Sequence, residues 1–189
     1  MKTYISLLFL SISSLLLSQD TYTITKQSNT LIWGGKAAVG GYAPEGTLQI
    51  QNATITYEKN TITTLEIIVD MTSLHQENKQ LSGHLRDKDF FHVKKYKTAT
   101  FILSEPVNVS SETCILNGMM TIKETQNKEA VKATITMKDG SISITFNHTM
   151  DRTTYGVNYN SPSIFKSLKE NVIADDFTLK GNLVFMRKY

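Results

Sequence analysis

From Asp20 onward, apolar residues recur at every second position. They do so at Leu65, Ile67, Val69 and Met71; at Ala99, Phe101 and Leu103; at Val131, Ala133, Ile135 and Met137; and at Ile142, Ile144, Phe146 and Met150. Phe177, Leu179, Leu183 and Phe185 close the series. A period of two places these side chains on one face of an extended chain, so each run predicts a strand with one apolar side. Polar clusters at 58–60, 108–112, 126–128 and 138–140 predict the turns between them. Strands joined in order by short turns make a meander, and the expectation is all-β: an antiparallel up-and-down barrel. Closure leaves no exposed edge, and the long segments near 48–57 and 177–185 are placed to seal it.

Departures from the period are informative too. Leu48 and Ile50 share one parity while Ala53, Ile55 and Tyr57 share the other, which predicts a bulge near Gln51 or Asn52. The glycine-rich piece 34–46 predicts a bent strand or a loop. Around Leu74, Leu81, Leu85 and Phe90 the spacing suits a helical or irregular excursion. In a second excursion, Ser161 can cap and Pro162 can open a short helix running to about Glu170. One or two short helices are thus expected to cover an end of the barrel.

The opening MKTYISLLFLSISSLLLSQ has a cation at Lys2, an apolar run from Tyr4 to Leu17, and polar residues at Ser18 and Gln19. That run is short for a membrane span and is followed at once by strand-like sequence, so residues 1–19 read as a secretory signal peptide. The barrel domain is then 20–189, periplasmic or secreted, with no stable membrane insertion. With one cysteine, Cys114, the chain has no internal disulfide, and its stability rests on packing. A formal net charge of +3 is too mild to argue for nucleic acid as the partner.

Chemistry-bearing motifs are scarce. His75, His84, His92 and His148 show no ligand spacing of three or four residues, so no metal site is expected. The chain has no GxSxG, P-loop or glycine fingerprint, and so no motif for nucleophilic hydrolysis, a nucleotide or a cofactor. An enzyme would have to use an acid–base pair such as His84 with Asp87 or Asp89. A partner-binding barrel without ligand is a third reading, and a homodimer is compatible with the sequence.

One stretch is specific. GHLRDKDFFHVKKYKTATF resembles the signature of the YceI-like, polyisoprenoid-binding family: a His-Leu-basic element, Asp-Phe-Phe, Lys-Tyr, then a Thr-x-Thr-Phe strand. DMTSL upstream, DRTTYGVNYNSPSIFKSLKENVIADDF downstream and the N-terminal IWGGKAAVGGYAPEGTLQI fit the same order. The sequence departs at Ala43-Pro44-Glu45-Gly46, where many members carry a Ser-His pair, and at the 123–129 turn. The resemblance implies a lipocalin-like barrel that holds a long-chain amphiphile, such as a polyisoprenoid, an isoprenoid quinone or a fatty amide, without reacting with it. A buried chain of about 20 carbons would gain on the order of 15 kcal/mol before association costs. The ligand-binding residues expected are Trp33, His84, Phe90, Phe91, Tyr96, Phe101, Arg152, Tyr155 and Phe165, with no catalytic residue and no cofactor. Lys94 and Lys95 read as a solvated face, and Asp151 as part of a local ion pair at a strand end.

Overall fold

The computed structural model describes residues 19–25, 29–167 and 172–188. The expected signal peptide therefore lies, but for Gln19, outside the described residues. Strands β1 (Asp20–Ile24) and β2 (Thr30–Gly34) lie in line, each between β3 (Glu45–Glu58) and β10 (Asp176–Arg187). β4 (Thr61–His75) pairs with β3 on one side and, on the other, with β5 (Thr98–Leu103) and β6 (Val107–Asn108). Pro106 sits in the gap between β5 and β6, where its missing N–H costs the ladder nothing. β7 (Thr113–Ile122), β8 (Thr125–Lys138) and β9 (Ser141–Asp151) carry the meander round to β10. With each interrupted pair counted as one strand, eight antiparallel strands close on themselves, and the expected up-and-down barrel is the observed fold.

The two ends differ. At the closed end, Lys59 and Asn60 (φ 45° and 62°) and Asp139 and Gly140 (φ 50° and 74°) make two-residue turns, whose paired positive φ matches the twist of the strands they join. Tyr22, Ile55, Ile62, Leu65, Ile135, Ile142 and Phe185, none more than 5% exposed, fill the barrel above those turns and form its floor. At the open end stand the longer connections. α1 (Lys79–Arg86) is the short helix that covers this end; the Asn78 side chain caps it by accepting the Gln80 and Leu81 N–H groups. Leu81 and Leu85 lie one turn apart on its inner face.

The phase change in β3 is a register shift between Ile50 and Asn52, where the bulge was expected. Two expectations need correction. The β7–β8 turn is not at 126–128 but at Lys123 and Glu124, with φ 51° and 64°. Polarity misled because Gln126 and Lys128 face solvent on β8 while the alternating Asn127 and Glu129 are half-buried. Nor does a helix start at Ser161: residues 161–167 make turns, and the remainder of the expected helix, 168–170, lies outside the described residues. The Ser161 hydroxyl still accepts the Ile164 N–H at 3.3 Å, and the Phe165 N–H bonds the Ser161 carbonyl at 2.9 Å, a single closed turn.

Candidate functional site

Above the floor the barrel is hollow. The cavity runs from Leu183, Ile144, Val131, Leu116 and Ile67 at its base to Gly35, Lys36, Tyr42 and Asp176 at its mouth. Its wall is almost wholly carbon. Along β10 it spans Asp176 to Leu183, about 23 Å of strand at roughly 3.3 Å per residue. With strands tilted about 40° to the axis, that is a depth of about 18 Å. The space open to the centre of a water-sized sphere is about 200 Å³. Spread over the depth, it has a section of about 11 Å², so adding water's radius of about 1.4 Å gives a tube of radius about 3.3 Å. Carbon atoms pack at about 3.5–4.0 Å, so one hydrocarbon chain of half-width ~2 Å fits and two abreast do not.

Why a barrel of this size is hollow can be read from three glycines. Trp33 on β2 is the register partner of Gly46 on β3, Phe146 on β9 is the partner of Gly181 on β10, and Phe101 on β5 faces Gly118 on β7. A methyl group at any of these glycines would overlap the aromatic ring, at 2.6 Å from Trp33 Cε2 and from Phe101 Cε2 in two of the cases. The rings therefore lie over bare backbone, flat against the wall, instead of projecting into the lumen. The Trp33 Nε1–H reaches the His75 carbonyl at 3.3 Å, which holds the indole in place and removes its polar atom from the cavity.

Five of the sequence-predicted residues line this cavity: Trp33, Phe90, Phe91, Phe101 and Arg152. The other four are placed elsewhere. His84 packs edge-on against Phe90 and Tyr159, with ring centroids 5.0 and 4.7 Å away. Tyr96 contacts His92 edge-on, and its hydroxyl accepts from Lys95 Nζ at 2.9 Å on the outside of the barrel. Phe165 is exposed on the 161–167 turn. Tyr155 is fully buried beside the wall, donating its hydroxyl to Glu129 Oε1 at 2.5 Å. Asp87 and Asp89 are exposed, whereas His84 is half-buried in an aromatic cluster with Phe90 and Tyr159.

Sequence reasoning passed over the polar residues of the wall. Glu129 also pairs with His148 Nε2, at 2.8 Å, and His148 lines the cavity. Burial, joined by the hydrogen bond to Glu129 and its charge, pushes the Tyr155 hydroxyl far above its ordinary pKa. Tyr155 is thus a permanent donor that keeps Glu129 satisfied and turned away from the lumen. The clue was available in the alternation, since Glu129 and His148 sit on the inward parity of β8 and β9.

Arg152 is 3% exposed, and its guanidinium donates to the carbonyls of Val157, Ile173 and Ala174 at 2.6, 2.9 and 2.9 Å. Burial lowers its pKa, opposed by the charges of Asp175 and Asp151. Asp151 does not pair with it locally; its carboxylate caps the turn Arg152–Tyr155 through the Thr153 N–H and hydroxyl. The partner is Asp175, with Nη2 and Oδ1 3.7 Å apart. Burial of Asp175 opposes its ionisation, but hydrogen bonds from Ser161 and Ser163 and the Arg152 charge prevail and hold its carboxyl below the usual range. Arg152 thereby straps segment 172–175 across the mouth, where Ala38 N–H bonds the Val172 carbonyl and Ala174 N–H the Lys36 carbonyl. No cluster of His, Cys, Asp or Glu able to hold a metal occurs among the described residues.

Comparison with known proteins agrees with this geometry. The YceI-like domain family matches residues 22–185. No curated protein matches the chain in sequence. Among solved structures, Burkholderia cenocepacia BcnA is similar at 17% identity and a TM-score of 0.65, over 85% of this chain and 98% of that one. A polyisoprenoid binding domain from Saccharophagus degradans, implicated in plant cell wall breakdown, matches at 11% identity and a TM-score of 0.68, over 88% and 98%. The Campylobacter jejuni YCEI protein matches at 17% identity and 0.57, over 100% and 94%. At these identities the likeness is one of fold.

Proposed function

This chain belongs to the YceI-like domain family, and on that footing we propose that it is a non-catalytic carrier that takes the tail of one long-chain amphiphile into its barrel. The barrel is consistent with a small-lipid binding protein. The observation that carries the finer reading is the blind, carbon-walled tube kept open by aromatic rings laid over glycines. Bonds of about 1.5 Å at near-tetrahedral angles advance an extended chain about 1.25 Å per carbon, so a depth of about 18 Å takes about 14 carbons. At roughly 0.8 kcal/mol for each buried CH₂, that is about 11 kcal/mol before association costs, enough for a micromolar complex after several kcal/mol are lost to ordering. A longer polyisoprenoid, quinone or fatty amide would leave the rest of its chain and its head group at the mouth. The tube tolerates methyl branches and offers little polar recognition, so it selects by girth and length. The Saccharophagus degradans domain, described as polyisoprenoid binding, supports an isoprenoid among the candidates.

We assign the protein to the periplasm or the secreted fraction, with 1–19 as its signal peptide. Native mass spectrometry of the secreted form, then solvent extraction of what copurifies, tests the reading. A single long-chain lipid per barrel is expected. An empty protein that also takes up no added isoprenoid or fatty amide overturns it.

A further inference from the structure

Eight large apolar side chains are exposed among the described residues, and half of them occupy two turns at the mouth. Val39 (79% exposed) and Tyr42 (58%) are on the turn that follows β2, and Ile164 (49%) and Phe165 (48%) are on the 161–167 turn. The other four, Ile102, Ile115, Met137 and Met186, stand on strands of the barrel. Segment 172–174 joins the two turns. On one side it bonds Lys36 and Ala38, on the other the Ile173 N–H bonds the Asn160 carbonyl. Gly40 and Gly41, with φ 89° and 73°, shape the tip between Val39 and Tyr42 into a protruding turn that side chains rarely allow. Tyr42 and Lys36 also line the cavity mouth, so the first of these turns reaches the lumen directly.

We infer that this rim docks on a lipid bilayer surface, placing the cavity mouth against the hydrocarbon from which its occupant is drawn. The inference rests on the proposed lipid-carrier reading for its direction. Each methylene that must cross water slows escape from a bilayer by a factor of about four, so a chain long enough to fill the tube cannot leave by free diffusion at a useful rate. Contact between mouth and membrane removes that barrier. Two apolar turns with an aromatic on each, flanked along the chain by Lys36, which pairs with Asp176 at 3.6 Å, and by the exposed Lys166, match the interface: rings and aliphatic tips below the head groups, the Lys166 ammonium at phosphate depth. The insertion is shallow and reversible, since only the tips of two turns, Val39, Tyr42, Ile164 and Phe165, enter the bilayer.

The test uses a Val39→Glu/Ile164→Glu variant, both positions being exposed and off the cavity wall. Empty protein is floated with vesicles of phosphatidylethanolamine and phosphatidylglycerol in equal parts. Transfer of a dodecyl lipid carrying its fluorophore on the head group, so that the chain alone enters the tube, is followed separately from donor to acceptor vesicles, and so is binding of the same probe delivered from dilute monomeric solution. Native protein is expected to float and to transfer at a rate that rises with acceptor vesicle concentration. The variant is expected to lose flotation and slow transfer tenfold or more, with equilibrium binding unchanged. A variant that floats and transfers like the native chain overturns the inference. So does a native rate independent of acceptor concentration, or native dimers that the variant dissolves without any vesicle binding, which would make the rim a contact between two copies. If neither protein binds the probe, the carrier reading fails, and flotation alone decides the docking.

Discussion

At the scale of the residue, the emptiness of this barrel depends on what is missing opposite its largest side chains. Phe146 can lie flat because its cross-strand partner is Gly181, and Trp33 because its partner is Gly46. Gly181→Ala is therefore expected to lower stability by about 1–3 kcal/mol, the usual cost of overpacking, and to swing the Phe146 ring into the lumen. Urea unfolding and probe binding together check this. The double substitution Gly181→Ala/Phe146→Leu should recover both stability and uptake, because the smaller side chain clears the new methyl group. Recovery of stability without uptake would show that Phe146 is itself a wanted surface for the ligand. These pairings were not legible in the sequence, since a glycine opposite an aromatic is visible only once the register is known. Glu129 and His148 are legible by parity, but Glu129 falls in a polar stretch that reads as a turn and His148 has no partner at a ligand spacing, so their pairing and the Tyr155 hydroxyl that completes it emerge only in the fold.

At the scale of the element, the closed end is built from local rules and the open end from distant ones. The strands, the bulge near Asn52 and the turns at Lys59-Asn60 and Asp139-Gly140 follow from alternation and turn chemistry, and these parts of the fold could be read directly. The mouth could not. Segment 172–175 is held by Arg152, twenty or more residues earlier in the chain, through carbonyl oxygens that no side-chain pattern reveals. The Asp175 carboxylate, held by hydrogen bonds from Ser161 and Ser163 and by its ion pair with Arg152, gives the mouth a pH dependence and sets its sign. The folded carboxyl titrates below its unfolded value of about 3.9, so the pair's contribution is complete above that pH and is lost as pH falls through the folded pKa. Asp175→Asn is expected to flatten the decline of the urea midpoint as pH falls below about 4, with the native chain losing more there. Equal declines in both proteins would show that other carboxylates set the acid limit.

At the scale of the whole molecule, the barrel is a tube with a floor. The buried cluster of Ile55, Ile62, Ile142 and Phe185 stops any chain about 18 Å below the mouth, and the wall above it offers carbon and almost nothing else. That architecture predicts an affinity that depends on chain length until the floor is reached and not afterwards. The measurement that tests it most directly is titration of the ligand-free protein with primary fatty amides of increasing length, read by displacement of a fluorescent hydrocarbon probe. Each added CH₂ should tighten binding by up to about fourfold, with a plateau near about 14 carbons, the length an extended chain needs to span the depth. Affinity that is absent, or flat from the shortest amide to the longest, would contradict the claim that this barrel holds a single chain end-on.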